Sequence, residues 1–212
     1  MPDFTRVEGV AAPLPIANLD TDQIMPKQFL LGTDKSGLAA GVLYNLRFAP
    51  DGSTREDFVL NTKAYEGARI LVGGANFGCG SSREHAVWGL QQFGVAAVIA
   101  PSYGEIFYYN AANNRLLTIV LSPAQIEEMT AEISNPASNV LTIDVENQVV
   151  RTASGRSYAF QMEPRHRKMY LDGLDVLGAS LQMLPEIETF ERAHWTRNPW
   201  TRVLPLPHPE RA

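Results

Sequence analysis

An α/β fold with a three-layer or sheet-plus-helix core is what this 212-residue sequence predicts, and three observations predict it. The apolar run 68–72, a loop rich in glycine, a helix-periodic segment 83–93 and a second apolar run 96–100 form a β-loop-α-β unit, most simply a parallel crossover. The run 116–121 is, like 96–100, too uniformly apolar to alternate, as expected of strands covered on both faces. Downstream, residues 140–145, 148–152 and 157–160 are short alternating runs joined by turn residues, which predict antiparallel ribbons.

In chain order, residues 5–10 alternate weakly and read as an opening strand, punctuated by Pro13-Leu14-Pro15 as a turn. Asn18, Asp20, Thr21 and Asp22 are short polar residues that favour caps and turns, so two carboxylates stand near the start of a short helical or irregular segment. Residues 27–52 mix Phe29, Leu30, Leu31, Leu38, Val42 and Leu43 with Gly32, Gly37 and Gly41. They read as a helical turn, a mobile loop and a short helix over 38–47, and loops of this length are often functional. After the central unit, residues 102–114 predict an aromatic-rich helix and 116–121 a third strand. Ser122-Pro123 caps a helix over 124–133, which Asn135-Pro136 ends. Helical spacing returns over 164–171, 174–184 and 185–195, and the proline-rich tail from about residue 196 reads as loosely ordered. No repeat or boundary divides the chain, so one domain over 1–212 is expected.

Composition narrows the function classes. A net charge of -5 gives no support for a nucleic-acid or anionic-membrane surface. No apolar run approaches the roughly 20 residues that a membrane span needs, and no basic segment followed by an apolar one opens the chain, so the cytoplasm is the expected compartment. The single cysteine, Cys79, excludes an internal disulfide and a self-contained iron–sulfur site, because clusters usually require three or four thiolates.

Chemistry concentrates in Gly78-Cys79-Gly80-Ser81-Ser82-Arg83-Glu84-His85, between strand and helix. With Ser81 or Ser82 as N-cap, two hydroxyls, backbone N–H groups and a guanidinium converge where the helix dipole favours a carboxylate or phosphate. Arginine stands where a dinucleotide fingerprint needs its third glycine, and no Gly-Lys-[Ser/Thr] follows for a P-loop. Cys79 as nucleophile lacks a histidine whose placement can be argued, and a histidine such as His85 is more often packed or capping than catalytic.

The longer pattern is more specific. Asn76-Phe77-Gly78-Cys79-Gly80-Ser81-Ser82-Arg83-Glu84-His85-Ala86, preceded by Asp20-Thr21-Asp22 with Ile24 and Pro26 and followed by Val98-Ile99-Ala100-Pro101-Ser102 and Ile106-Phe107, resembles the small subunit of bacterial 3-isopropylmalate dehydratase. The resemblance runs in order from about Phe4 to Glu191. It implies a swivelling β/β/α domain like the last domain of aconitase. It also implies a large-subunit partner carrying a [4Fe-4S] cluster and a small dicarboxylate substrate, 2-isopropylmalate, isomerised through isopropylmaleate in leucine biosynthesis.

By the same resemblance Ser81 is the catalytic base, an alkoxide stabilised by N–H donors and a cation. Ser82 and Arg83 bind a substrate carboxylate, Asp22 matches an active-site carboxylate, and Leu30 and Leu31 lie in the segment that contacts the substrate side chain, where apolar residues suit an isopropyl group. The chain departs from the usual family pattern at Tyr103-Gly104-Glu105, at Ala111-Ala112 and at His166-Arg167-Lys168-Met169-Tyr170, and its tail after Trp195 is unfamiliar. The serine loop would equally serve a paralogous hydro-lyase acting on a related branched or methylated malate, or an anion-binding module without catalysis.

Overall fold

The computed structural model describes residues 4–30 and 35–202. It divides into two compact units, residues 1–175 and 176–212.

The first unit is built on one seven-stranded sheet. Its strands are β1 (Arg6–Leu14), β2 (Ile70–Gly73), β3 (Ala97–Ala100), β4 (Leu117–Val120), β5 (Val140–Asp144), β6 (Val149–Thr152) and β7 (Ser157–Ala159), in the order β4-β3-β2-β1-β5-β6-β7. The long strand β1 belongs to two regimes. Residues Ala11 to Leu14 pair in parallel with β2, which continues in parallel to β3 and β4. Residues Arg6 to Val10 pair antiparallel with β5, and β6 and β7 extend that half as a meander.

Pro13 does not end the strand as the sequence suggests; it pairs with Val72 inside β1. The reason lies in backbone alternation. Ala11 gives its N–H to Asn139 O, on the β5 side, so the N–H that Pro13 lacks would have pointed to that same side, which β5 has by then left.

The inner strands of the parallel half, β1, β2 and β3, feed both faces of the sheet. Leu71 and Val98 join a cluster with Leu14, Phe77, Leu90 and Phe107, while Ile70, Val72, Ile99 and Ile119 join one with Ile126, Met129 and Ile133. Two covered faces leave β2 and β3 without an exposed position, which is why those runs carry no alternation. The helices on the first face are α1 (Thr21–Ile24), α2 (Tyr44–Arg47), α3 (Glu84–Phe93) and α4 (Glu105–Asn113). The second face is covered by α5 (Pro123–Ile133), whose Ile126, Met129 and Ile133 face inward. Ser122 caps α5 in a capping box with Gln125, with proline at the first position. Helix α6 (Pro164–Leu171) supplies Tyr170 to the same core.

The short helix expected over 38–47 is split into a 3-10 turn at Leu38–Gly41 and α2. Leu43 sits between them at φ +51°, its N–H given to Ile24 O rather than to a helical carbonyl, so the segment breaks where it is tied to α1.

The second unit contains α7 (Val176–Leu181), α8 (Leu184–Arg197) and a 3-10 turn at Pro199–Thr201. The tail expected from about residue 196 is thus helical in its first residues, and 203–212 lie outside the described residues. Among the described residues no helix is long and apolar enough to cross a membrane.

Candidate active site

The three parallel strands β1, β2 and β3 end on one edge of the sheet, and the segments leaving them are laced together there. Gly78 N–H donates to Leu19 O at 2.7 Å and Asn18 N–H to Ala75 O at 2.8 Å, joining the segments after β1 and β2. Phe77 N–H donates to Ser102 O at 3.0 Å and Gly104 N–H to Phe77 O at 2.9 Å, joining the segments after β2 and β3. The loop 74–83 therefore runs as a short extra strand between two neighbours, in parallel bridges with Asp20 on one side and Tyr103 on the other.

Two glycines are set by this lacing. Gly78 holds φ +73°, and a Cβ there would collide with the Phe107 ring. A Cβ on Gly104 would lie 2.6 Å from Gly78 O, so glycine at that departure from the family pattern lets the third segment close on the loop. Beneath the loop Tyr103 packs its ring against Phe77 and Phe107. Its hydroxyl accepts from Ile119 N–H and has two acceptors for its one proton, Val98 O at 2.7 Å and Ile119 O at 2.8 Å; burial pushes its pKa well above the tyrosine range.

The serines do not cap α3. Arg83 occupies the N-cap with extended backbone and no side-chain cap bond, because the chain is held by tertiary bonds until Ser81 and turns only after Ser82. Both serines are exposed, and neither hydroxyl has a bonding partner among the described residues. Asp20 caps α1 instead, in a capping box with Gln23. This turns Asp22 toward the serine loop, where its Oδ1 lies 2.5 Å from Arg83 Nη1. The contact is ionic rather than a well-aligned hydrogen bond, since both atoms are buried without one. Lys27 Nζ stands 4.0 Å from the other oxygen, Oδ2. Asp22, Arg83, Ser81, Ser82 and Lys27 are thereby brought to one edge.

Leu30 follows the 3-10 turn Lys27–Phe29 and is half buried against the first core cluster; Leu31 lies outside the described residues. Cys79 Sγ donates to Asn18 O at 3.4 Å, and the His85 ring packs on Trp88 at 4.8 Å, so each is engaged locally. The sequence reading overlooked Thr21 and Asn114. Thr21 donates its N–H to Cys79 O and its hydroxyl to Ser81 O, both at 2.9 Å. Asn114 accepts from Trp88 Nε1 at 2.9 Å and donates to Glu84 at 2.5 Å, holding the start of α3. The Asp20-Thr21-Asp22 triplet carried a signal for the first. A lone asparagine after a helix carried none for the second.

Residues 1–124 match the family described as the aconitase C-terminal domain. The chain is 56% identical to the 3-isopropylmalate dehydratase small subunit 1 of Chromobacterium violaceum over 200 residues, covering 94% of each chain. It is 46% identical to the protein of the same name in Mannheimia succiniciproducens, covering 96% of this chain and all of that one. Among solved structures it is similar to a 3-isopropylmalate dehydratase from Methanocaldococcus jannaschii, with a TM-score of 0.64 and 26% identity over 87% of this chain and 99% of that one.

Proposed function

This chain belongs to the family of 3-isopropylmalate dehydratase small subunits, within the aconitase superfamily, and from that membership we propose that it isomerises 2- and 3-isopropylmalate through isopropylmaleate, as the small subunit of a two-chain hydro-lyase of leucine biosynthesis. The observation that carries the reading at the level of the site is the Asp22–Arg83 contact beside two unpartnered serine hydroxyls. It fixes a cation next to a candidate base on an open edge.

Asp22 takes Nη1 of Arg83, which leaves the Nε–Nη2 edge for a bidentate hold on a substrate carboxylate. Asp22 thus acts on substrate through Arg83, fixing the guanidinium before substrate arrives. Ser82 adds a hydroxyl to the same carboxylate. Ser81 removes the proton next to a carboxylate; as a very poor base in water it depends on exclusion of solvent and on the nearby guanidinium to stabilise its anion. Leu30 offers an apolar wall to the isopropyl group, against which a charged side chain would be buried unpaired.

The residues of this chain do not fit an iron–sulfur cluster. There is one cysteine, its Sγ engaged by Asn18 O, and no group of three or more His, Cys, Asp or Glu is placed to hold a metal among the described residues. On this reading the [4Fe-4S] cluster belongs to the large subunit, and the open edge of the serine loop is taken as the surface that subunit closes. The test is turnover of 2-isopropylmalate by the chain co-expressed with its large subunit against the chain alone. Activity only in the pair is expected. A pair that assembles with its cluster in place and turns over a methylated malate but no isopropylmalate would move the assignment to the paralogous hydro-lyase.

A further inference from the structure

The hydroxyl of Thr21 is buried, the residue being 2% exposed, and it is spent on one acceptor, the carbonyl of Ser81, at 2.9 Å. That carbonyl also accepts from Arg83 N–H at 2.8 Å, so Ser81 O is held from both sides while the Ser81 side chain remains exposed and unpartnered. The Thr21 N–H meanwhile holds Cys79 O at 2.9 Å. One residue therefore grips the loop on both sides of Gly80, a residue at φ +94° that could otherwise swing. The next residue, Asp22, grips Arg83.

We propose that Thr21 is a positioning residue for Ser81, its buried hydroxyl fixing the backbone from which the base reaches substrate. This rests on the reading of Ser81 as base. An exposed loop serine can adopt three staggered χ1 rotamers, and a wandering backbone would multiply the unproductive ones. Clamping the carbonyl leaves rotation of one side-chain bond as the only freedom, so the hydroxyl reaches a reacting carbon in a narrow range of positions. Because Asp22 and Thr21 are adjacent on α1, the clamp also sets the spacing between the base and the carboxylate-binding guanidinium.

The experiment compares Thr21→Val, Thr21→Ala and Thr21→Ser, each alone and in the Ser81→Ala background, in the assembled two-chain enzyme. Thr21→Val and Thr21→Ala should lower kcat by about 10- to 100-fold, the scale at which small misplacement costs rate, with KM changed by no more than about twofold, since Arg83 and Ser82 still hold the carboxylate. Thr21→Ser should restore most of the loss. In the Ser81→Ala background the same replacements should cost less than about twofold, because a clamp has no effect once the base it positions is gone. Hydrogen exchange in the isolated chain should be faster at the Arg83 amide in Thr21→Ala and unchanged in Thr21→Ser. Near-normal kcat in Thr21→Ala, with Ser81→Ala crippled, overturns the clamp and leaves the base standing. Equal losses in both backgrounds overturn it too, since Thr21 would then act on the fold. Near-normal turnover in Ser81→Ala itself would overturn the base and the catalytic role of the clamp together.

Discussion

The two halves of the sheet share strand β1 and one apolar cluster that draws on both, yet among the described residues the candidate site stands on the parallel half. In the parallel half, β1, β2 and β3 all finish on the same edge, so the segments bearing Asp22, Ser81 and Tyr103 leave side by side and can bond to one another. In the antiparallel half, β5, β6 and β7 are joined by tight turns at alternate ends, so successive turns are separated by the length of a strand. The polar groups of those turns have partners away from the serine loop: Asn147 is bonded to Asp144 within its own turn, and Ser154 N–H to Glu132 of α5. Parallel topology makes convergence, and antiparallel topology keeps successive turns apart.

Breaking the parallel edge should give the largest change in function with the least in stability. Ser81→Ala removes an exposed, unpartnered hydroxyl, so the thermal midpoint and assembly with the large subunit should stay near normal, while turnover falls by about 10²–10⁴-fold, the usual worth of base catalysis. Steady-state kinetics with cluster content matched between samples decides it. Full activity would make Ser81 a backbone residue of the loop and nothing more.

Breaking the antiparallel half should do the opposite. Ile143 is fully buried in β5 opposite Val7, so Ile143→Ala should lower unfolding stability by about 2–5 kcal/mol. Turnover per folded enzyme at low temperature should be unchanged. A urea titration beside an activity assay reads both; a rate loss as deep as that of Ser81→Ala would mean that the halves are not functionally separate.

A smaller effect belongs to Arg83→Lys. Lysine can keep the charge facing Asp22 but has no second edge for a carboxylate, so KM should rise by about tenfold or more, with a lesser loss in kcat. An unchanged KM would place the carboxylate elsewhere.

The sequence made the parallel half legible and its details less so. Strand, glycine loop, helix and strand were readable from 68 to 100 because two short, uniformly apolar runs flank a glycine-rich loop and a segment of helical period, and the antiparallel runs because they alternate. What escaped depends on distant partners. Pro13 looked like punctuation, but a proline ends a strand only when its N–H is needed, and whether β5 is present at that register is decided more than a hundred residues away. Ser81 and Ser82 looked like caps, but the helix starts after them because the carbonyl of Ser81 is held by Thr21, 60 residues earlier. The Asp22–Arg83 contact has no local signature at all; the two residues were placed in one site only through the family resemblance.

The smallest expected effect concerns pH and sharpens the contrast between the halves. Asp144, at the end of β5, accepts from the Asn147 side chain and N–H at 2.8 Å each and faces Arg151 at 3.5 Å, and these hold its carboxyl below the usual aspartate range. A carboxyl whose folded pKa is depressed stabilises the fold above its unfolded value, about 3.9, and that stabilisation is lost as pH falls through the lower folded value. Asp144→Asn abolishes the titration, so the stability of the variant should fall less steeply than that of the parent below about pH 4, with a difference at pH 7 of no more than about 1 kcal/mol for so accessible a group. Urea midpoints measured from pH 7 down to pH 3 would show the two curves converging as the medium is acidified. Turnover across neutral pH should be identical in parent and variant, because the side-chain partners of Asp144 are Asn147 and Arg151 and neither of them belongs to the serine loop. Curves that stay parallel down to pH 3 would remove Asp144 as the source of the acid dependence, and a displaced pH–rate profile would show that this hairpin reaches the serine loop after all.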